Sequence, residues 1–407
     1  MKKAVLITIL MGIFVACQSS LNDGFNQNDK NATVDNSIIQ DDIILGAERF
    51  TSYLPLLSGK SVALVVNQTS VVGSVHLVDT LQSLGVKVVK VFAPEHGFRG
   101  DHSAGATIKS GTDQKTGLPV ISLYGKNKKP SEEMLQDVDL VIFDVQDVGV
   151  RFYTYISTMH YVMEACGEQG KSVLILDRPN PNGFYVDGPV LDREYSSFIG
   201  MHPIPIVHGL TVGELAHMII GEGWLKNEVK CDMKVISCLN YDHQKLYQLP
   251  IRPSPNLPNM NSVYLYPFLG LFEGTNVSIG RGTEMPFQII GRPNEKGTYS
   301  FTPKSIPRVS DNPKHKNVEC IGEIVQDVAD SSLFKHPRLN LTYILKYYHS
   351  NDENNDHYFK SFIYKLMGYK EFTEQVSSGL NEEQIRSTWM ADLNKYKDMR
   401  KKYLLYQ

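Results

Sequence analysis

A short segment in the first third of the chain carries an unusual density of ionisable side chains. FAPEHGFRGDHSAG, residues 92–105, follows the apolar run VKVVKV and contains one glutamate, two histidines, an arginine and an aspartate. Such a run predicts a buried strand, and polar residues placed directly after a strand gather at the edge of a sheet. A glutamate at that edge can be shielded from water enough to act as a general acid, which makes Glu95 a candidate catalytic residue.

The elements that would position this segment follow a regular pattern. Near-continuous apolar runs, typical of strands buried on both faces, lie at residues 61–68, 86–94, 120–125, 139–146, 172–179 and 203–209. Amphipathic stretches of helical length alternate with them, which predicts an α/β fold with a Rossmann-like, doubly wound parallel sheet. Ligands of such sheets bind outside the carboxyl ends of the strands. The polar residues at those ends are Asn67, Glu95, His96, Tyr124, Asp144, Gln146, Asp147, Asp177, Arg178 and His208.

The sequence changes character after about residue 250. Residues 252–270 are rich in proline and asparagine, which predicts a connector rather than a helix or strand. Polar, lysine-rich and aromatic stretches follow. We therefore predict a Rossmann-like catalytic domain at residues 41–267 and a second, smaller C-terminal α/β or α+β domain at residues 268–407.

Charge and glycine patterns exclude two classes of partner. The 407 residues include 41 lysines and arginines against 44 aspartates and glutamates, with no basic block, so the electrostatic footprint of a nucleic-acid-binding protein is missing. Neither of the glycine-rich phosphate-binding motifs, G-x-G-x-x-G or G-x-x-x-x-G-K-[ST], follows any predicted strand. We therefore expect no organic cofactor.

The N-terminal residues predict export. MKKAVLITILMGIFVACQSS has two lysines, an apolar stretch and a cysteine after a small residue, which indicates a lipoprotein signal peptide at residues 1–17 with acylation of Cys17. The alternatives are a plain signal peptide or a short anchor helix. Residues 18–40 are polar and predict a flexible tether. We expect a cell-envelope lipoprotein that faces the periplasm.

A second group of candidate residues lies in LFEGTNVSIGRGTEMPFQIIGRP, residues 271–293. Glycines that permit tight turns separate Glu273, Asn276, Arg281 and Glu284. The alternative interpretation is a hairpin whose charged side chains face water.

Several segments, in order, resemble one known family. PEHGFRGDHSAG, VIFDVQDVGVRFYTYISTM, LILDRPNPNG and LFEGTNVSIGRGTEMPF are similar to segments of the exo-β-N-acetylmuramidase family. The resemblance covers roughly residues 45–407 and is strongest up to about residue 293. It implies release of terminal N-acetylmuramic acid from the non-reducing end of peptidoglycan fragments, in a cleft between a Rossmann-like domain and a smaller C-terminal domain. The family's suspected catalytic glutamate matches Glu95.

Glycoside hydrolysis ordinarily needs a second carboxylate, either as a nucleophile or as a base for water. Asp144, Asp147, Glu273 and Glu284 are the candidates, and the sequence does not rank them. A third route uses the sugar's own 2-acetamido group as the nucleophile, with a protein acid that orients it.

The expected substrates, disaccharides or muropeptides from peptidoglycan, carry a lactyl carboxylate on the muramic acid. A guanidinium suits a planar carboxylate, so Arg99, Arg151 and Arg281 are candidates to bind it. Tyr153 could provide a wall for stacking a sugar ring, and His96 and His208 could donate hydrogen bonds in the pocket.

Two other functions fit some of the same residues. A metal-dependent hydrolase would use Glu95, His96, Asp101 and His102 as ligands, but neighbouring residues of an extended segment point in opposite directions, so we expect no metal. A non-catalytic lipoprotein that binds muropeptides would use the same sheet edge, with Glu95 as a hydrogen-bonding group.

Overall fold

The computed structural model describes residues 42–99, 111–325, 333–350 and 357–406. The predicted signal peptide, Cys17 and the predicted tether lie outside these residues, as do Asp101 and His102. None of the helices in the four ranges combines the length and the apolar composition that a bilayer crossing requires.

A mostly parallel sheet lies at the centre of the fold. The strands of the described residues are β1 Val62–Val66, β2 Val71–Val72, β3 Val75–His76, β4 Val88–Ala93, β5 Gly111–Thr112, β6 Pro119–Ser122, β7 Leu140–Asp144, β8 Ser172–Leu176, β9 Asp232–Ile236, β10 Ile289–Arg292, β11 Tyr299–Phe301 and β12 Cys320–Ile324. Seven of these form one sheet in the order β5-β6-β4-β1-β7-β8-β9, and β5 alone among them is antiparallel to its neighbour. The six parallel strands therefore have the Rossmann order, in which the first strand lies between the second and the fourth.

Helices cover the sheet and form much of the C-terminal part. In the described residues they are α1 Phe50–Leu57, α2 Leu77–Ser83, α3 Glu132–Leu135, α4 Tyr155–Glu168, α5 Val212–Gly221, α6 Met260–Leu269, α7 Thr342–His349, α8 Phe362–Met367, α9 Glu371–Ser377 and α10 Glu382–Arg400. Residues of α1 and α2 belong to one apolar core, whereas residues of α4 and α5 belong to another.

The central strand β1 shows why the apolar runs are continuous. Val62, Leu64 and Val66 join the core that contains α1 and α2, while Ala63 and Val65 join the core that contains α4 and α5. Successive side chains of a strand point to opposite faces, so a sheet covered on both faces needs apolar residues at every position. The predicted doubly wound α/β fold is confirmed.

One predicted strand is wrong. Residues 203–209 are buried, but they pair only through isolated bridges from Val207 to Val150 and to Asp187 in the described structure. Pro203 and Pro205 have no backbone N–H to donate to a sheet. The sixth parallel strand is β9 instead, so His208 does not end a strand of the sheet.

The predicted connector at residues 252–270 is also partly wrong, because its second half is α6. Asn259 caps the helix through reciprocal hydrogen bonds with Ser262. Pro267 lies inside the helix and cannot donate to the carbonyl of Val263, four residues earlier. The side-chain amide of Asn182 donates to that carbonyl instead, at 3.2 Å, so the proline leaves no acceptor unpaired.

The residues after α6 form the smaller helical and sheet part that the sequence predicts. The strands β10, β12 and β11 make an antiparallel sheet, and α7 to α10 accompany it. Asp42–Gln407 form one compact unit. The boundary between residues 267 and 268 therefore stays a prediction.

Arg151 fastens α8 to the segments beside the sheet. Its side chain is fully buried, and Nη1 donates to the carbonyl oxygens of Pro189 and Ile204 at 2.7 and 2.8 Å. Nη2 donates to Leu366 and Met367 at 2.7 and 2.8 Å, where the carbonyls at the end of α8 carry partial negative charge. Burial lowers the pKa of Arg151 to about 9. Arg151 is thus committed to backbone acceptors.

We expect Arg151→Met to lower the free energy of unfolding by at least about 3 kcal/mol, because each hydrogen bond to a charged donor contributes about 1.5–3 kcal/mol and four buried carbonyls lose their donor. Urea unfolding followed by circular dichroism measures the change. Arg193→Met, at an exposed position, is the matched control and should stay within about 0.5 kcal/mol of the parent. Equal stability of the two variants would contradict the assignment.

Candidate active site

A tight turn at the end of β4 presents Glu95. The N–H of Gly97 donates to the carbonyl of Pro94 at 3.1 Å, and His96 takes a φ of 69° at the third position of the turn. This left-handed conformation is rare for residues other than glycine and is a form of backbone strain that concentrates at functional sites. His96 is buried, and its Nε2 lies 3.3 Å from the hydroxyl of Ser254.

Glu95 lines a cleft of about 920 Å³, within the size range of small-molecule sites. The cleft lies between the carboxyl edge of the sheet and the elements that follow α6. Residues from the sheet side include Glu95, His96 and Tyr124, and those from the C-terminal side include Glu273 and Arg281.

Hydroxyl groups surround Glu95. Thr154 precedes the first residue of α4, but its side chain accepts no hydrogen bond from the helix N–H groups, and its Oγ1 donates to Oε2 of Glu95 at 2.7 Å. The hydroxyl of Tyr155 lies 3.4 Å from the carbonyl oxygen of Glu95. Burial, followed by the negative charge of Glu95, raises the pKa of Tyr124 above its ordinary value, so this phenol stays a proton donor. Glu95 is half-buried, and the hydroxyl of Thr154 holds one oxygen of its carboxyl group.

Aromatic side chains form one wall of the cleft. Tyr153 contacts Tyr155 and Tyr266 edge to face, with ring centroids 4.9 and 5.7 Å apart. The carbonyl of Pro253 accepts hydrogen bonds from the hydroxyls of Tyr153 and Tyr155, at 2.9 and 3.3 Å. These bonds hold the rings in fixed positions, and Tyr153 lies in the cleft wall as the sequence predicts.

Of the four candidate second carboxylates, Glu273 lines the cleft with Glu95. It lies in a short 3₁₀ helix, Gly270–Gly274, directly after α6. Its Oε1 accepts hydrogen bonds from Nε and Nη2 of Arg281, at 3.0 and 2.5 Å. Arg281 also stacks over the ring of Phe287, with 4.9 Å between the guanidinium carbon and the ring centroid. Glu273 and Arg281 thus form a fixed ion pair in the cleft wall.

The other three carboxylates do not line the cleft. Asp144 is fully buried at the end of β7 and binds Arg178 through two hydrogen bonds of 2.6 and 3.0 Å. Asp147 is buried, and its Oδ2 accepts the N–H of Gly149 at 2.7 Å. Glu284 is exposed. Asp144 thus neutralises a buried arginine, and Asp147 fixes a backbone turn.

The structure separates the three predicted arginines. Arg281 lies in the cleft, whereas Arg151 binds the carbonyls described above. Arg99 donates two hydrogen bonds to Asp113, at 3.0 and 2.9 Å, and its guanidinium lies over the ring of Phe98. Arg99 therefore contacts a protein carboxylate outside the cleft.

Two predicted substrate-binding residues also lie outside the cleft wall. His208 is buried, its Nδ1 accepts the N–H of Leu210 at 3.2 Å, and its Nε2 is 3.7 Å from Asp147. The side-chain oxygen of Asn276 lies 3.4 Å from Nη1 of Arg292. Both side chains thus contact protein groups at those positions.

A group of basic residues in the cleft was not predicted from the sequence. Lys314, His315 and Lys360 line it together with Arg281. Lys314 donates to three carbonyl oxygens, and burial, followed by the charge of Lys360, lowers its pKa to about 7. Their loops show no motif, and the polar composition of the segment around residue 314 was the sole signal.

Ser254 and Asn256, which also line the cleft, come from the proline-rich stretch before α6. Asn256 donates to the carbonyl of Val309 at 2.8 Å, while its side-chain oxygen has no hydrogen-bond partner in the described structure. The proline and asparagine content of that stretch predicts a connector and gives no sign that it lines the cleft.

The described residues contain no group of three or more histidine, cysteine, aspartate or glutamate side chains placed to hold a metal ion. Glu95 and His96 lie in the cleft, and the other two residues of the metal hypothesis, Asp101 and His102, fall in the gap after residue 99.

Comparisons with known proteins agree with the resemblance. Two family models match, the N-terminal model of exo-β-N-acetylmuramidase NamZ over residues 62–261 and the C-terminal model over residues 264–406. The curated peptidoglycan β-N-acetylmuramidase NamZ of Bacillus subtilis (strain 168) is 37% identical, in an alignment that covers 99% of this chain and 99% of that protein.

Two crystal structures of DUF1343 family proteins from Bacteroides fragilis have the same fold. Their TM-scores are 0.84 and 0.73, with 47% and 30% sequence identity. Each match covers 90% of this chain and 99% of the other. From the matched models and this similarity over its length, the chain belongs to the exo-β-N-acetylmuramidase NamZ family.

Proposed function

We propose that this protein is an exo-acting glycoside hydrolase that releases β-linked N-acetylmuramic acid from the non-reducing end of peptidoglycan fragments. The observation that carries the proposal is that Glu95 and Glu273 line one cleft, which also has an aromatic wall and basic residues. The NamZ relatives, one of which is named a peptidoglycan β-N-acetylmuramidase, support the choice of substrate.

Glu95 is the proposed general acid. Its position at the end of β4 is fixed by the sheet, and the hydroxyl of Thr154 orients its carboxyl group. Transfer of its proton to the glycosidic oxygen lets the bond to the leaving sugar break. The carboxylate that remains takes a proton from the water whose oxygen bonds to the anomeric carbon, which restores the acid.

Glu273 is the proposed second carboxylate. Hydrogen bonds from Arg281 fix one of its oxygens, so the carboxylate is held in a defined position as positive charge develops at the anomeric carbon. These side chains supply the proton and the negative charge that the reaction needs, and we propose no organic cofactor.

We further propose that the protein works as a lipoprotein of the cell envelope, facing the periplasm. The support is the sequence of residues 1–20, in which Cys17 follows a short apolar stretch. An enzyme that acts on peptidoglycan fragments would meet its substrate there.

Glu95→Gln should lower kcat by at least about a hundredfold, the usual contribution of a positioned acid, because an amide cannot donate the proton. Release of the chromophore from a chromogenic N-acetylmuramic acid β-glycoside measures it, and circular dichroism checks the fold. Glu284→Gln, at an exposed glutamate outside the cleft wall, is the matched control and should keep activity within twofold, that is, within about 0.4 kcal/mol. Near-normal turnover by the Glu95 variant would remove this residue from the mechanism.

The same assay separates the enzyme from a non-catalytic muropeptide-binding lipoprotein. A folded wild-type protein that binds the glycoside without releasing the sugar would favour the binding protein.

Glu273→Ala should lower kcat by about a hundredfold or more, because the developing positive charge loses its carboxylate. Azide, a small anion that fits the space of the removed side chain, should restore turnover, with a muramyl azide as the product. Mass spectrometry and proton NMR identify that product and its anomeric configuration. Full activity without azide would exclude Glu273 as the second carboxylate.

Cys17→Ser should abolish incorporation of radiolabelled palmitate and move the protein from the membrane fraction to the soluble fraction, because serine has no thiol to be acylated. Cys320→Ser, at a buried cysteine elsewhere in the chain, should keep the label. Labelling of the Cys17 variant at the wild-type level would refute the anchor.

A further inference from the structure

Two lysines that repel each other line the same part of the cleft. The charge of Lys360 is, after burial, the main cause that lowers the pKa of Lys314, and both side chains belong to the wall of the cleft that contains Glu95. Neighbouring like charges disfavour each other, and a negative charge beside them reduces this repulsion. A bound anion can supply that charge.

Lys314 is held rigidly. Its ammonium group donates to the carbonyl oxygens of Phe272, Thr275 and Val277, at 2.9, 2.6 and 2.9 Å. An ammonium group has three N–H donors, so all of them have acceptors. While it is protonated, Lys314 therefore contributes positive charge to this part of the cleft, and a ligand must take its hydrogen bonds from another donor.

Lys360 has such a donor. Its backbone is fixed, since its N–H donates to the carbonyl of Gly274 at 2.8 Å and Phe359 pairs with Thr275. Its side chain is exposed, and its ammonium group forms no ion pair or hydrogen bond in the described part of the chain. Lys360 is thus a cation on a fixed backbone with three free donors.

The carboxylates of the cleft do not neutralise Lys360. Glu273 is bound to Arg281, and Glu95 accepts a hydrogen bond from Thr154. Asp311, the other acidic residue of the wall, is exposed and pairs with neither lysine among the described residues.

We propose that Lys360, with Lys314 behind it, forms the site that binds the lactyl carboxylate of the terminal N-acetylmuramic acid. This inference rests on the proposed function and assigns the carboxylate to two lysines of the C-terminal part. Lys360 donates hydrogen bonds to the carboxylate, and Lys314 adds its charge. Arg281, one of the three arginines predicted for this role, also lines the cleft and donates to Glu273 from Nε and Nη2.

The test compares N-acetylmuramic acid with its methyl ester, which has the same shape but no negative charge. Calorimetric titration of the purified full-length chain should show about 10- to 100-fold tighter binding of the acid, the range for a charge-assisted hydrogen bond. Lys360→Met should remove most of this difference and leave binding of the ester unchanged. Lys360→Arg should keep most of it.

Lys365→Met is the matched control, because Lys365 is an exposed lysine in α8 that does not line the cleft. It should retain the full preference for the acid. A Lys360→Met protein that still prefers the acid as strongly as the wild type overturns the proposal, and so does an equal loss of affinity for the acid and the ester.

The preference should also depend on pH. Burial and the charge of Lys360 lower the pKa of Lys314 to about 7, so its positive charge is lost progressively as the pH rises through this value. The acid should therefore bind less tightly at pH 8 than at pH 6, while binding of the ester changes little. The charged groups that face Lys314 are Lys360, Arg281 and Glu273, and His315 is its neighbour. A preference that stays constant over this range excludes Lys314 from the site.

Binding and turnover separate the two proposals. Binding that depends on Lys360 in a protein that does not cleave the chromogenic glycoside refutes the hydrolase and retains the carboxylate site. The opposite result is that both proteins cleave the glycoside and its methyl ester, and that the Lys360→Met variant has the wild-type kcat/KM for each. That result retains the hydrolase and refutes the carboxylate site.

Discussion

The chemistry of the cleft depends on the backbone of one turn, Pro94–Gly97. The strand before it is hydrogen-bonded on both sides, to β1 and to β6, so the turn starts from a fixed point. His96 adopts the left-handed conformation, at a cost of about 1–3 kcal/mol, and burial of its ring next to Ser254 accompanies that strain. The position of Glu95 is therefore set by the sheet and by the stretch before α6 together.

Much of the fold was predictable because strands that are buried on both faces of a sheet need apolar residues at every position, which is visible in the sequence. The continuous apolar runs predicted five of the parallel strands of the sheet. The two errors share one cause. Proline removes a local hydrogen-bond donor, and the groups that compensate for this loss are distant in the sequence. Residues 203–209 pair with two separate segments instead of joining the sheet, and α6 tolerates Pro267 because of Asn182.

The site was predictable in part. Glu95, His96, Tyr153, Glu273 and Arg281 do line one cleft, because they follow strands or glycine-rich turns that face it. The remaining candidates could not be sorted by residue type. A sequence shows an aspartate or an arginine, but it does not show that Asp144 binds Arg178 or that Arg151 donates to four backbone carbonyls. Lys314 and Lys360 were missed because their positions depend on contacts between distant loops.

The hydrogen bond from Asn182 to Val263 has an evolutionary consequence. Exchange of Pro267 for a residue with a backbone N–H gives the carbonyl a second donor, which a carbonyl with two lone pairs accepts easily. Exchange of Asn182 while the proline remains leaves that buried acceptor without this amide donor. Loss of the proline first therefore spares the Val263 carbonyl, but Asn182 also donates to the carbonyl of Val148 at 2.9 Å, so its exchange still removes one buried hydrogen bond.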